Sequence, residues 1–421
     1  MQHGWGNEES DKKVMTTSRS AMVTYSPYPA DPRVRREAEA LAEAGMSVDV
    51  ICITDGFGSR KENVHGVNVY RLPFSRRRAG KLRYAWEYGC FLFTAFFTLT
   101  YLYVRNRYDV VHIHNMPDIL VFCALVPRLC GAKVVLDLHD PSPEIFMAKY
   151  GVDKEHFVVR LLCLAEKFSI WFAHLVLTPN LSFKRLFVSR GCPDAKIHVI
   201  MNSPLESIFR GPGNGSRRGS TDGRQKFVVM YHGMITERNG VDLAIRAINV
   251  VRREIPDITF EFYGAGDFVD RCLSLVTELG MDDAVTFRGC VPLETIAKAI
   301  ESVDVGLISN RPSVHWEHAM PTRIFEYLSM GKPVIAPRTG GILDYFGADD
   351  LYFFESGNTQ SIIEAIMDVY RNRTQRLKKI ERGMAVYQRH RWQIQRHRLQ
   401  ELVKTLTDTH ASVAERQSEL E

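Results

Sequence analysis

The chain has 421 residues, 45% of them apolar and 24% charged, and a formal net charge of +5. That length is too great for one compact core and points to about two domains, with the composition of an ordinary globular enzyme. The small positive charge excludes a nucleic-acid-binding stripe and suits an anionic ligand or an anionic membrane surface.

The N-terminal stretch MQHGWGNEESDKK is polar, without the apolar run of a signal peptide, and residues 1–17 read as a disordered tail. AMVTYS then reads as a strand, and PRVRREAEALAEAG as a helix that Gly45 closes. SVDVICIT, VNVYRLP and YDVVHIHN read as further strands. Between the last two lies YAWEYGCFLFTAFFTLTYLYV, residues 84–104, with Glu87 its only charge and arginines on both flanks. About 20 apolar residues are enough to cross a bilayer. The flanking sequence reads as one continuous α/β domain, so the preferred reading is a packed helix with one face at the membrane interface.

AKVVLDLHD, LVLTPN and IHVIMN continue the strands of an N-terminal domain over residues 18–204. GPGNGSRRGSTDGR marks a linker within residues 205–225. The βα rhythm then restarts with KFVVMYHG, GVDLAIRAINVVRRE, ITFEFYGAGD, AVTFRG, DVGLIS, TRIFEYLSMG and PVIAP, a second domain over residues 226–385. AVYQRHRWQIQRHRLQELVKTL reads as a C-terminal helix over 386–408 that packs back toward the first domain, with a tail to 421. Strands alternating with helices imply two doubly wound, Rossmann-like α/β domains, whose ligands bind beyond the carboxyl ends of the strands. The eight cysteines are scattered through apolar stretches without a CxxC pair, so reduced thiols and a cytoplasmic setting are expected.

HAMPTRIFEYLSMGKPVIA, residues 318–336, carries the strongest chemical signal. Pro321 and Thr322 open a helix whose free N–H groups and dipole make an anion site. Arg323 in the first turn calls for an anion, and Glu326 one turn deeper can accept two hydrogen bonds from a ribose diol. A simple Arg323–Glu326 pair is the competing reading. In MYHGMITERNGVDLAI a strand enters a loop holding Gly233 and Arg238, placed to clamp a diphosphate. Gly264 and Gly266 form a third glycine turn, YGAGD. LDLHD sets His139 at a strand end, where an imidazole can hydrogen-bond a sugar or a phosphate, against an even chance of a structural role. His112 and His114 share one strand face and read first as structural histidines; no carboxylate or cysteine stands at a metal-binding spacing, so no metal is expected. Asp31, Arg33 and Arg36, in the loop YSPYPADPRVRRE, face either the cleft or solvent, and Asp31, Arg33 and His114 are the acceptor-side candidates.

These segments resemble the GT-B glycosyltransferases of family four, a retaining group that includes many bacterial polysaccharide and lipid glycosyltransferases. The resemblance runs from Ala21 to about Leu402 through DPRVRREAEALAEAG, LDLHD, IMNSP, YHGMITERNG, GAGD and PTRIFEYLSMGKPVIA. It implies that Glu326 holds the donor ribose, Arg238 neutralises the pyrophosphate, His139 lies near the donor sugar, and the backbone at Val291 touches the nucleobase. Two positions depart from the pattern. His318 stands where the first of the paired glutamates is expected, with Glu317 one residue away, and Asn239 replaces a lysine before Gly240.

The resemblance implies a metal-independent transfer by same-face attack through an oxocarbenium-like ion pair, with the leaving phosphate taking the acceptor proton. The donor is a nucleotide sugar, no separate cofactor is needed, and the apolar run suggests a lipid-linked acceptor at the cytoplasmic face of a membrane. The alternatives are a nucleotide-sugar epimerase of the same fold, a catalytically degenerate sugar-nucleotide-binding protein, and a membrane-anchored structural protein.

Overall fold

The computed structural model describes residues 18–56, 58–75, 81–211 and 226–418; the side chains of residues 81–85 and 409–418 are not described. The N-terminal tail and most of the expected linker lie outside these residues. The chain divides into two compact units, Met1–His112 with Cys123–Lys133, and Ile113–Phe122 with Val134–Glu421.

The first unit contains β1 (Arg19–Pro27), α1 (Pro32–Glu43), β2 (Ser47–Ile53), β3 (Lys61–Val64), β4 (Val67–Leu72), α2 (Lys81–Asn106), the start of β5 (Val110–His114) and α3 (Leu125–Leu129). Its strands lie in the order β3-β4-β2-β1-β5. β1, β2 and β4 are parallel, as the βα rhythm requires, and β3 pairs antiparallel with β4. The sequence reading missed β3, a four-residue strand exposed at the sheet edge.

Helix α2 is the apolar run. Phe91, Ala95, Leu99 and Leu102 are buried at three- to four-residue spacing, while Trp86, Phe93, Phe97, Tyr101 and Val104 are exposed on another face. Among the described residues no helix is long and apolar enough to cross a membrane.

In the second unit the end of β5 leads to β6 (Lys133–Asp137), α4 (Ser142–Tyr150), α5 (Phe157–Phe172), β7 (Leu175–Thr178), α6 (Leu181–Ser189) and β8 (Ile197–Val199), with strand order β5-β6-β7-β8. After residue 226 come β9 (Phe227–His232), α7 (Val241–Val251), β10 (Ile258–Tyr263), α8 (Val269–Glu278), β11 (Val285–Gly289), α9 (Leu293–Ser302) and β12 (Val305–Leu307). Then follow α10 (Val314–His318), α11 (Thr322–Ser329), β13 (Val334–Pro337), α12 (Gly340–Leu343), β14 (Tyr352–Phe354), α13 (Thr359–Arg371), α14 (Arg373–His390) and α15 (Trp392–Ser418). The six later strands form a parallel sheet in the order β11-β10-β9-β12-β13-β14.

Both faces of this later sheet are covered, and the alternation of its strands assigns their side chains. Phe227, Val229 and Tyr231 of β9 join one core with α7, α8 and α13, while Met230 joins a second core with Ile324, Phe325 and Leu328 of α11. The two sheets make two Rossmann-like α/β folds.

The compact units do not divide at the glycine-rich linker, because residues before it bond to residues after it. Leu181 N donates to the Tyr345 hydroxyl at 2.8 Å, and Met201 N donates to Gln395 Oε1 at 3.0 Å. The C-terminal helix expected over 386–408 is two helices with a break at Arg391, and the second runs on to Ser418.

Candidate active site

The site begins at β9, whose buried run ends at His232 and Gly233. Gly233 has φ of +129°, and a Cβ there would meet the Arg323 guanidinium at 3.1 Å. Glycine is therefore what lets Arg323 lie across the strand end. The guanidinium sits 4.7 Å above the Tyr231 ring, donates to the His232 carbonyl at 2.6 Å and reaches Asn310 Oδ1 at 3.5 Å. This stacking fixes a cation in the first turn of α11, where Pro321 is the N-cap and no side chain caps the N–H groups.

Glu326 does not pair with Arg323. Its Oε2 lies 2.5 Å from His232 Nε2, while His232 Nδ1 lies 2.8 Å from the Tyr327 hydroxyl, which donates to the Met230 carbonyl at 3.0 Å. The single phenolic proton is used on Met230, so His232 must donate from Nδ1. Nε2 is turned to the Glu326 carboxylate. His232 thus holds the carboxylate in one orientation from below. Sequence reasoning missed His232; its place at a strand end before a glycine loop, like that of His139, was the available signal.

The neighbouring loop owes its shape to Asn239. This buried side chain donates to the Met234 carbonyl at 2.6 Å and the Tyr231 hydroxyl at 3.1 Å, and accepts from Thr236 Oγ1 at 3.2 Å. The departure from lysine therefore gives the loop a brace in place of a charge. Arg238, half-buried, has no hydrogen-bond partner for its guanidinium among the described residues. The nearby Arg311 is engaged with Asp242 at 2.5 Å and the Glu237 carbonyl at 3.1 Å. Arg238 is left as the uncommitted cation of this loop.

Gly264 and Gly266 serve packing. A Cβ on Gly264 would lie 1.8 Å from the Gly233 carbonyl oxygen, and one on Gly266 would lie 1.8 Å from that of Ile235. The N–H groups of Gly233 and Gly264 are also spent, on the Tyr263 and Gly289 carbonyls. These glycines let the β9 and β10 loops touch backbone to backbone, and the Gly233 and Gly264 N–H groups are not free to hold a phosphate as their pattern suggested. Val291 is half-buried against the second core.

Across from α10, the end of β6 presents His139. Its N–H donates to Asn115 Oδ1 at 2.9 Å, and Asn115 Nδ2 in turn donates to Asp118 at 2.9 Å and to the Asp140 carbonyl at 2.8 Å. His139 Nε2 lies 3.2 Å from Asp137 Oδ2 and 3.1 Å from His114 Nδ1, and that nitrogen lies 3.2 Å from the same Asp137 oxygen. The two rings are stacked, 11° from parallel. Asp137 only accepts, and the two ring nitrogens face both it and each other, so the three groups form one buried network. Burial drives the neighbouring Asp118 carboxyl upward from its usual value.

His114 is wholly buried behind His139, so it is a support and not an acceptor-side contact. Asp31 and Arg33 are also accounted for locally. Asp31 caps α1 by accepting from Arg33 N at 3.0 Å and pairs with the Arg33 guanidinium at 3.3 Å, while Arg36 is buried. The absence of carboxylates near the histidines, expected from spacing, is also corrected. Glu37 lies 3.4 Å from His112, and Asp137 lies 3.2 Å from His114.

Helix α10 completes the surroundings. His318 Nδ1 lies 2.8 Å from Ser182 Oγ, and Glu317 turns away to accept from Gly340 N at 2.9 Å. Glu317 is therefore no substitute for the missing glutamate. His315 lies 3.8 Å from Asp140, and burial pushes its imidazole below the usual value, with Arg238 and His318 adding to that and Asp140 opposing it.

The chain matches two family descriptions, "Glycosyl transferase 4-like domain" over residues 30–203 and "Glycosyl transferases group 1" over residues 226–372. It is 26% identical to an uncharacterized glycosyltransferase of Methanocaldococcus jannaschii, over 77% of this chain and 81% of that one. Among solved structures, the sucrose-phosphate synthase of Thermosynechococcus elongatus superposes with a TM-score of 0.75 at 17% identity, covering 93% of this chain and 100% of the other. The Anabaena protein HepE, in complex with UDP-glucose, superposes with a TM-score of 0.69 at 17% identity, covering 92% and 99%.

Proposed function

Because the chain belongs to the GT-B glycosyltransferases, we propose that it transfers a sugar, with retention, from a nucleoside diphosphate sugar to a hydroxyl of a lipid-linked or polysaccharide precursor at the cytoplasmic face of a membrane. The observation that carries the reading is Glu326, held by His232 one turn inside an uncapped helix that also carries the stacked Arg323. A carboxylate beside an anion-binding helix end suits a ribose joined to a diphosphate. The UDP-glucose held by the Anabaena relative of this fold supports a donor of that class.

In the proposed transfer Glu326 accepts the two ribose hydroxyls. Arg238, Arg323 and the first N–H groups of α11 stabilise the negative charge that grows on the leaving diphosphate, a preorganised contribution of several kcal/mol. No side chain is assigned as a covalent nucleophile. The acceptor oxygen attacks the anomeric carbon from the leaving-group side as the C–O bond to phosphate breaks, and its proton passes to the departing phosphate oxygen. His139 lies by the donor sugar and hydrogen-bonds one of its hydroxyls. The exposed aromatic face of α2 supports an acceptor presented at a lipid surface.

The test is a donor screen. The protein is incubated with a panel of nucleotide sugars and a membrane-lipid extract, and nucleoside diphosphate release is recorded for the wild type, Glu326→Ala and Arg238→Ala. Release from one donor that requires the extract and is lost in both variants is the expected result. Formation of an isomeric sugar without any acceptor would instead mark an epimerase, and donor binding without turnover would mark a degenerate binding protein.

A further inference from the structure

Helix α5 inverts the usual distribution of polar and apolar residues. Its one acidic residue, Glu166, is buried and accepts from Arg190 at 2.9 Å, beside the buried Val159, Ser169, Ile170 and Phe172. Its outward face carries Phe157, Leu161, Leu164, Phe168 and Trp171, which retain 76%, 53%, 49%, 54% and 69% of their surface. Arg160 and Lys167 are the other exposed residues of that face. These seven positions recur every three or four residues and make one strip about 21 Å long. The strip contains no carboxylate; Asp153 and Glu155 lie in the preceding turn, beside Lys154.

We propose that this strip docks the protein on an anionic lipid bilayer, with α5 lying parallel to the surface. Five exposed apolar side chains on one helix face exceed what an isolated surface residue explains, and two of them are aromatic groups at the strip's ends. The charge pattern selects the occupant. A second copy packed by a two-fold axis would set Arg160 and Lys167 against the same cations, with no carboxylate on the strip to answer them. Lipid phosphates answer both. The proposal rests on the transferase reading only for its purpose, since a lipid-borne acceptor gives the docking a use.

The experiment is flotation of the full-length protein with vesicles of phosphatidylcholine alone or mixed with phosphatidylglycerol. Wild type is expected to float with the mixed vesicles and weakly with the neutral ones. Arg160→Glu with Lys167→Glu lowers binding by at least 25-fold, about five-fold for each cation removed. Phe168→Ser with Trp171→Ser lowers it about 10-fold or more. Should either pair lose its fold, Trp171→Phe serves instead: quenching of tryptophan fluorescence by brominated lipid falls relative to wild type. The proposal is overturned by any of three results: wild type fails to float, the folded variants float as wild type does, or Trp171→Phe leaves the quenching unchanged. It is overturned equally if the strip variants convert a dimer to a monomer while flotation is unaltered. The readout does not need turnover, so vesicle binding without any diphosphate release would sink the transferase reading alone. Release without vesicle binding would sink the strip alone.

Discussion

Two histidine–carboxylate pairs stand at strand ends in the second unit, and they differ in how far they are open to solvent. At β9 the imidazole of His232 lies beneath and Glu326 is the more exposed partner, at 12% against 6%. At β6 both members are buried, the His139 side chain at 4% and that of Asp137 at 5%. The first pair offers an acceptor of fixed orientation to a diol. The second sets an imidazole against a carboxylate and a second imidazole that orient it. The same two residue types thus make one pair with a partly open carboxylate and one pair closed to solvent.

This comparison breaks or sharpens under substitution. The largest effect is expected from Arg238→Ala, a 10²- to 10³-fold fall in the rate of diphosphate release, because the nearby Arg311 is engaged with Asp242. Glu326→Ala should weaken donor binding about 100-fold, read by calorimetry with the nucleoside diphosphate. His232→Gln, removing only the support, should cost about 10-fold in the same measurement. At the other pair, His139→Ala should cost about 100-fold in turnover and Asp137→Asn about 10-fold. A larger loss at His232 than at Glu326, or at Asp137 than at His139, would reverse the assignment of outward and supporting members.

The smallest expected effect is on stability. His315 is held below its usual 6.5 by burial, so below that pH the unfolded chain binds a proton that the folded chain refuses. Its contribution is complete above pH 6.5 and is lost as pH falls toward the lowered value. The melting temperatures of wild type and His315→Asn should therefore converge by roughly 2 °C on acidification, as differential scanning fluorimetry would show.

The βα alternation and the glycine-loop-to-helix junctions were legible because both are written within short windows of sequence. Arg238, Arg323, Glu326 and His139 could be named for the same reason. Their partners could not. His232 lies 94 residues from Glu326, and only the packing of α11 against the end of β9 joins them. The short edge strands β3 and β14 also escaped, since three or four residues carry little periodicity. The outward face of α5 was missed because its apolar spacing is that of a core helix. Periodicity reveals that a face exists and not which side of it is covered.

The backbone contact of Gly264 with Gly233, and of Gly266 with Ile235, bears on how the donor loops breathe. With no side chains between them, and with Gly233 and Ile235 donating directly to Tyr263 and Ala265, opening of either loop breaks bonds to the other. The amides of Gly233, Ile235 and Gly264 should consequently exchange with deuterium at one shared rate. Arg238, projecting from the same loop, would be positioned by the slow collective opening of the sheet end and not by fast motion of its own turn.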